Sequence, residues 1–192
     1  FGSKKELAGT LFLEILARYH AAVIAAVDES CTAREGVARL IRAHLEWVVN
    51  FRREARYLFE ISRSEWTEEI RGAQRAQNSR LAEAVERWRA PLVERGELLP
   101  MTSALFFSQI IGPAQIFCRA WLSGRDRADP REQADILIAC AIRAVVAPDA
   151  IRKRRQARMR GHAAPGQGER HILVRRIERN HMRRNSGCER IR

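Results

Sequence analysis

Residues 102–124 read TSALFFSQIIGPAQIFCRAWLSG, and this stretch decides the fold class. Thr102 or Ser103 is suited to cap the start of a helix, and Gly124 is suited to end it. Between these ends, large apolar side chains recur every three or four residues, which is the periodicity of an α-helix. We therefore predict one helix from Ser103 to about Ser123.

This predicted helix carries two adjacent apolar sectors on a helical wheel. The first sector consists of Phe106, Ile110, Pro113, Phe117 and Trp121, and the second of Phe107, Ile111, Ala114, Cys118 and Leu122. A helix with so wide an apolar surface needs cover on two sides. A chain of 192 residues supports one core, which covers one side, so we predict that an identical subunit covers the other. The alternative, a helix that is central in the monomer, stays open.

The last predicted helix repeats this pattern more weakly. It opens at Asp129-Pro130 and runs to about Val146, with Ile136 and Cys140 off its main apolar face. Two such antiparallel helices from each of two subunits would form a four-helix interface. The residues predicted for this homodimer interface are Phe107, Ile111, Cys118, Leu122, Ile136 and Cys140.

Four further helices are predicted upstream of residue 102, because apolar side chains recur there with the same period and follow capping residues. They run from Ser3 to about residue 27, from Thr32 to about Val48, from about Arg53 to Ser62, and from Ser64 or Thr67 to about Gly96. No strand pattern of comparable length is present. The predicted fold class is all-α, an antiparallel bundle of about six helices.

The net charge of +12 is concentrated at one end of the chain. Residues 151–192 contain 13 Arg and one Lys against three Glu, which gives them +11 and leaves +1 for residues 1–150. A basic DNA-binding face across the body is therefore not predicted. We expect residues 149–192 to form a disordered basic tail. Such a tail either binds nucleic acid by salt-dependent electrostatics or is a solvated extension without function, and both alternatives stay open.

Several other classes of protein are disfavoured by the sequence. The four cysteines have no metal-ligand or disulfide spacing, which indicates a reducing, cytoplasmic setting without a metal site or cofactor. No secretory signal is expected, and the uncharged run from Leu98 to Cys118 contains too many polar residues and prolines to favour a membrane span. His20, His44 and the nearby carboxylates form no known catalytic motif, so we expect no enzyme.

The opening residues 1–7, FGSKKEL, closely resemble the end of the helix-turn-helix domain of the TetR family of transcriptional regulators. The helix pattern up to about residue 148 is similar to the C-terminal ligand-binding and dimerisation domain of that family. The resemblance divides the chain into a helix-turn-helix remnant at residues 1–6, a sensing domain at 7–148 and the tail at 149–192. It implies a repressor released from DNA by a small, largely apolar effector. The DNA-reading helices would precede residue 1, so operator DNA would be a partner of a full-length form only.

The resemblance also implies a ligand pocket inside the helical body. Suitable apolar wall residues are Trp47, Phe51, Phe59, Trp66, Phe106, Ile110, Phe117 and Trp121. His44 and Gln109 are candidate polar contacts that would orient the ligand. Because aromatic residues at helical spacing are often packed core instead, that alternative stays open for each of them.

Overall fold

The computed structural model describes residues 3–61 and 66–148. Within these ranges the chain is all-helical, as predicted, and forms seven α-helices with one 3-10 turn, Pro130–Gln133, before the last. The helices are α1 Lys4–Ile24, α2 Ala33–Asn50, α3 Arg52–Glu60, α4 Glu68–Glu94, α5 Ser103–Ile110, α6 Gly112–Leu122 and α7 Ala134–Val145. The predicted tail at 149–192 and the first two residues of the FGSKKEL motif lie outside the described residues.

Four of the helices begin at the capping residues that the sequence predicts. The side chains of Ser3, Thr32, Thr67 and Thr102 each accept a hydrogen bond from the backbone N–H three residues later. At α2 the bond is reciprocal, because the Glu35 carboxylate accepts from the Thr32 backbone N–H at 3.0 Å. The predicted starts of these four helices are confirmed.

The single helix predicted over 103–123 is two helices, α5 and α6, and this break accounts for the seventh helix. Pro113 has no backbone N–H, and its ring crowds the carbonyl of the residue four positions earlier. The interruption lies at Ile111, which keeps right-handed helical backbone angles, with φ −96° and ψ −30°, but belongs to neither α5 nor α6. Each of the two apolar sectors is therefore divided between α5 and α6, and neither forms one continuous helix surface.

The helices pack around α2. α1 contacts α2, α3 and α4, whereas α2 also contacts α5, α6 and α7. The Trp88 indole N–H on α4 donates to the Cys31 carbonyl at 3.1 Å, which ties the start of α2 to α4. The end of α7 is held by an isolated bridge between Leu98 and Val146, with the Leu99 N–H donating to the Val145 carbonyl at 2.8 Å.

α1 is long and apolar enough to cross a membrane by length and composition alone. The same composition is found in the core helices of proteins that enter no membrane. Phe12, Ile15 and Val23 on this helix are buried in the described structure.

Candidate functional site

The candidate site is a cavity of about 300 Å³ between α1, α4, α5 and α6. Its lining residues are Tyr19, Val23, Leu81, Phe107, Ser108, Ile111, Gly112 and Gln115. The break between α5 and α6 helps to form it, because Ile111 and Gly112 at the break both line the space. No atom lies within 4 Å of a Cβ placed on Gly112, so the cavity wall is open at this glycine. We call this space the Tyr19 cavity.

A buried hydrogen bond lies behind the wall of the Tyr19 cavity. The Tyr19 phenol and His44 Nδ1 are 2.9 Å apart, and the His44 ring is fully buried and stacked on Phe59. Burial lowers the pKa of His44 to about 4, so the imidazole is neutral at pH 7. With the phenol as donor, the imidazole proton lies on Nε2, which has no hydrogen-bond partner among the described residues.

The polar groups around the Tyr19 cavity are all uncharged at neutral pH. Burial raises the pKa of the Tyr19 phenol and of the adjacent Cys118 thiol, which keeps both protonated. The Ser108 hydroxyl donates to the Ala104 carbonyl at 2.9 Å. Gln115 is half-buried and lines the space with an uncharged amide. The site therefore combines apolar walls with a few neutral hydrogen-bonding groups.

None of the eight residues predicted to contact a ligand lines the Tyr19 cavity. Trp47, Phe59, Trp66, Phe106 and Ile110 are packed in the core. Phe51 is 44% exposed, whereas Phe117 and Trp121 are half-buried.

The two predicted polar contacts also lie away from the lining. His44 is one residue behind it, bonded to Tyr19, and Gln109 is exposed. By sequence, Tyr19 belongs to the apolar stripe of α1, four residues after Ile15 and four before Val23. A phenol in such a stripe was the available signal, since a buried tyrosine hydroxyl needs a polar partner.

The residues predicted for the homodimer interface divide into three groups. Phe107 and Ile111 line the Tyr19 cavity. Cys118 and Leu122 are fully buried inside the chain's own core, so the expectation that a second subunit covers them is corrected. The core reaches them because α6 packs against α2 and α3. Ile136 and Cys140 are exposed on α7.

Large apolar side chains are nevertheless exposed on the last three helices. Ile116 on α6 is 73% exposed and Ile136 on α7 is 66% exposed, with Leu105 on α5 and Cys140 on α7 also exposed. α5 packs against both α6 and α7, so the helices that carry these residues are joined through α5. We call Leu105, Ile116, Ile136 and Cys140 the α5–α7 face.

Arginine side chains join α3 to α6. The Arg119 guanidinium donates to the Phe59 carbonyl at 2.9 Å, and Arg56 donates to the Leu122 carbonyl. On its other side, α3 contacts α1, because the Tyr57 hydroxyl donates to the Ala8 carbonyl at 2.8 Å. α3 therefore connects a helix of the cavity wall with the start of α1.

A larger, open groove of about 740 Å³ lies between the start of α2 and α7. Its walls include Ile138, Ile142 and Val146, and its charged lining residues are Arg34, Asp135 and Arg143. Asp135 is paired with Arg42 at 2.7 Å. We prefer the Tyr19 cavity as the candidate site because buried polar groups adjoin it. Among residues 3–61 and 66–148, no group of three or more His, Cys, Asp and Glu is placed to hold a metal ion.

Comparison with known proteins links this arrangement to one class of fold. No family model matches the sequence, and no curated protein matches it either. The structure is similar to that of a TetR family transcription regulator from Marinobacter aquaeolei VT8, with a TM-score of 0.60 and 19% sequence identity. The alignment covers 77% of this chain and 75% of that chain. The chain has a TetR-like fold. At this identity, the TetR-like likeness is one of fold and does not carry the ligand or the partners of the other protein to this chain.

Proposed function

We propose that this chain is the effector-sensing and dimerising part of a TetR-type transcriptional repressor, without catalytic activity and located in the cytoplasm. The observation that carries the proposal is the Tyr19 cavity within a TetR-like fold. In the proposal, residues 7–148 form the sensing domain and residues 1–6 end a helix-turn-helix domain that precedes them in a full-length protein. Operator DNA is then a partner of that full-length form.

The proposed mechanism is a shift between two arrangements of the subunits. An effector changes DNA affinity only by its different affinity for the two arrangements, typically about 1–3 kcal/mol. A ligand in the Tyr19 cavity would press on α5 and α6. The Arg56 and Arg119 contacts supply a route from α6 to α3, and the Tyr57 bond to Ala8 supplies one from α3 to α1. The start of α1 is where the helix-turn-helix domain would be attached.

The proposed dimer forms through the α5–α7 face. Exposed isoleucines on two helices that both pack against α5 are the kind of apolar surface that subunit interfaces bury. This assignment keeps Ile136 and Cys140 from the predicted interface. It adds Leu105 on α5 and Ile116 on α6, which are both exposed.

Solution mass across a dilution series tests the proposed dimer. The full chain should have twice the monomer mass, and the double substitution Ile116→Glu with Ile136→Glu should give a folded monomer, because buried unpaired carboxylates are costly. The matched control is Phe51→Glu, which places the same charge at another exposed apolar residue. A wild-type monomer at micromolar concentration, or a dimer that tolerates both glutamates, would refute this interface.

A further inference from the structure

The lining of the Tyr19 cavity restricts the charge of what it accepts. We infer that its ligand is an uncharged molecule with an apolar body and one group, such as a hydroxyl, that both donates and accepts a hydrogen bond. The inference rests on the proposed function, because it describes the effector of that same cavity. It excludes carboxylates, phosphates and ammonium compounds as effectors.

The restriction on ligand charge follows from the chemistry of the cavity walls and of the groups behind them. Val23, Leu81, Phe107 and Ile111 offer only hydrocarbon, and none of the eight lining residues is ionisable at neutral pH. Behind them, His44 is neutral because its burial disfavours the imidazolium ion. A charged ligand would lose part of its hydration against these walls, and no lining residue supplies a countercharge to replace it.

Gln115 and Ser108 are the lining residues that would form hydrogen bonds to a ligand. The Ser108 hydroxyl proton is used by the Ala104 carbonyl, so its oxygen is left to accept. The Gln115 amide supplies a donor and an acceptor, and it is half-buried in the wall. A ligand hydroxyl satisfies such a set by donating to one oxygen and accepting from the amide N–H. An ether or a ketone satisfies only half of it.

The size of the cavity sets the scale of the ligand. A volume of about 300 Å³ lies at the lower end of the range for small-molecule sites. It has room for a molecule of two fused aromatic rings with one substituent. Val23 on α1, Leu81 on α4 and Phe107 on α5 offer apolar contacts to such a ring system.

Four probes with one carbon skeleton test the inference on the full chain by isothermal titration calorimetry at pH 7. They are 2-naphthol, naphthalene, 2-naphthoate and 2-naphthylmethylammonium. 2-Naphthol should bind about 3- to 10-fold more tightly than naphthalene, which is the worth of one net hydrogen bond. Both charged probes should bind at least about 30-fold more weakly than 2-naphthol, because each would be desolvated without a partner. Equal or tighter binding of either charged probe would overturn the inference and leave the proposed function standing.

Two variants locate the binding. Gln115→Leu should reduce the advantage of 2-naphthol over naphthalene while naphthalene still binds, since the amide is lost and only the Ser108 oxygen is left to accept. Leu81→Trp should abolish binding of every probe by filling the cavity. The matched control is Leu11→Trp, which makes the same change at an exposed leucine outside the lining and should leave all affinities unchanged.

The variant results distinguish failure of the inference about the ligand from failure of the proposed function. Undiminished binding to a folded Leu81→Trp protein would show that the probes bind elsewhere, and it would remove the effector site of the proposed function together with the inference. Failure of all four probes to bind the wild-type chain would likewise refute both. An unchanged 2-naphthol advantage in Gln115→Leu would refute the hydrogen-bonding part of the inference alone.

Discussion

Gly36 lies directly under the indole ring of Trp88. A Cβ placed on this buried glycine would overlap the ring, and the ring is fixed in turn by its hydrogen bond to the Cys31 carbonyl. The sequence around Gly36 does not predict this contact, because Gly36 and Trp88 lie on different helices. At the scale of single residues, tertiary packing and not helix propensity decides which substitutions the chain tolerates.

Gly36→Ala should destabilise the fold by about 1–3 kcal/mol, because the added methyl must displace a packed tryptophan. Urea denaturation followed by tryptophan fluorescence measures the change. The control is Gly72→Ala in α4, where the nearest atom to the new Cβ is a flexible arginine side chain 3.8 Å away. That substitution should be neutral or stabilising by up to about 1 kcal/mol, since alanine is the better helix former. Similar losses at both glycines would contradict the packing argument.

Two buried histidines make stability depend on pH. Burial lowers the pKa of His44 and of His20 to about 4, below the unfolded value of 6.5, so the unfolded chain binds more protons between these values. The free energy of unfolding should therefore have its full value above pH 6.5. It should fall by a few kcal/mol in total as the pH drops toward 4. Urea denaturation at pH 7.5 and pH 5 measures the difference.

His44→Gln is the informative variant for this pH effect. Its amide oxygen can still accept from the Tyr19 hydroxyl, but the side chain does not titrate. The drop in stability between pH 7.5 and pH 5 should be about half that of the wild-type chain, whatever the absolute stability of the variant. A drop of wild-type size would mean that His44 does not contribute to it.

At the scale of elements, helix starts follow from local chemistry, whereas helix partners do not. The Thr32–Glu35 capping box is legible in four consecutive residues because both hydrogen bonds run between near neighbours. The break at Pro113 was also present in the sequence, in the proline that ordinary helix interiors exclude. The apolar periodicity on both sides of it masked the break. Once α5 and α6 separate, the side chains that shared one predicted surface face the core, the cavity and the exterior.

Thr32→Ala should destabilise the chain by about 0.5–2 kcal/mol through loss of the α2 cap. Thermal or urea unfolding measures it. Thr10→Ala provides the control, because the Thr10 hydroxyl donates to the Glu6 carbonyl within α1 and caps no helix end. The control should cost nothing, since alanine is favoured in a helix interior. If Thr10→Ala costs as much as Thr32→Ala, the loss is not that of a cap.

At the scale of the whole molecule, the charge is divided unevenly along the chain. Residues 1–150 carry +1, whereas residues 151–192 carry +11. The candidate site lies entirely in the first part. Any affinity of this chain for nucleic acid should therefore come from the second part and be purely electrostatic.

Truncation after Pro148 should abolish retention of the chain on a DNA column at low salt. The full chain should be retained and should elute steeply with rising salt, because neutralised phosphates release their counterions. Far-UV circular dichroism of the truncated chain is the control and should keep its helical signal. Retention of the truncated chain on DNA would show instead that the helical body itself binds nucleic acid.

The all-helical class of the described residues, the starts of α1, α2, α4 and α5, and the location of the charge could be predicted from the sequence, because each depends on residues close together in the chain. The site could not be predicted, because it depends on how distant segments pack. Tyr19 and Gln115 line one cavity although 96 positions separate them, and periodicity ranks a cavity wall and a packed core alike as apolar. Tertiary packing likewise places Cys118 and Leu122 in the core and leaves Ile116 exposed. Which side of a helix is covered depends on where its neighbours lie, and local sequence does not encode that.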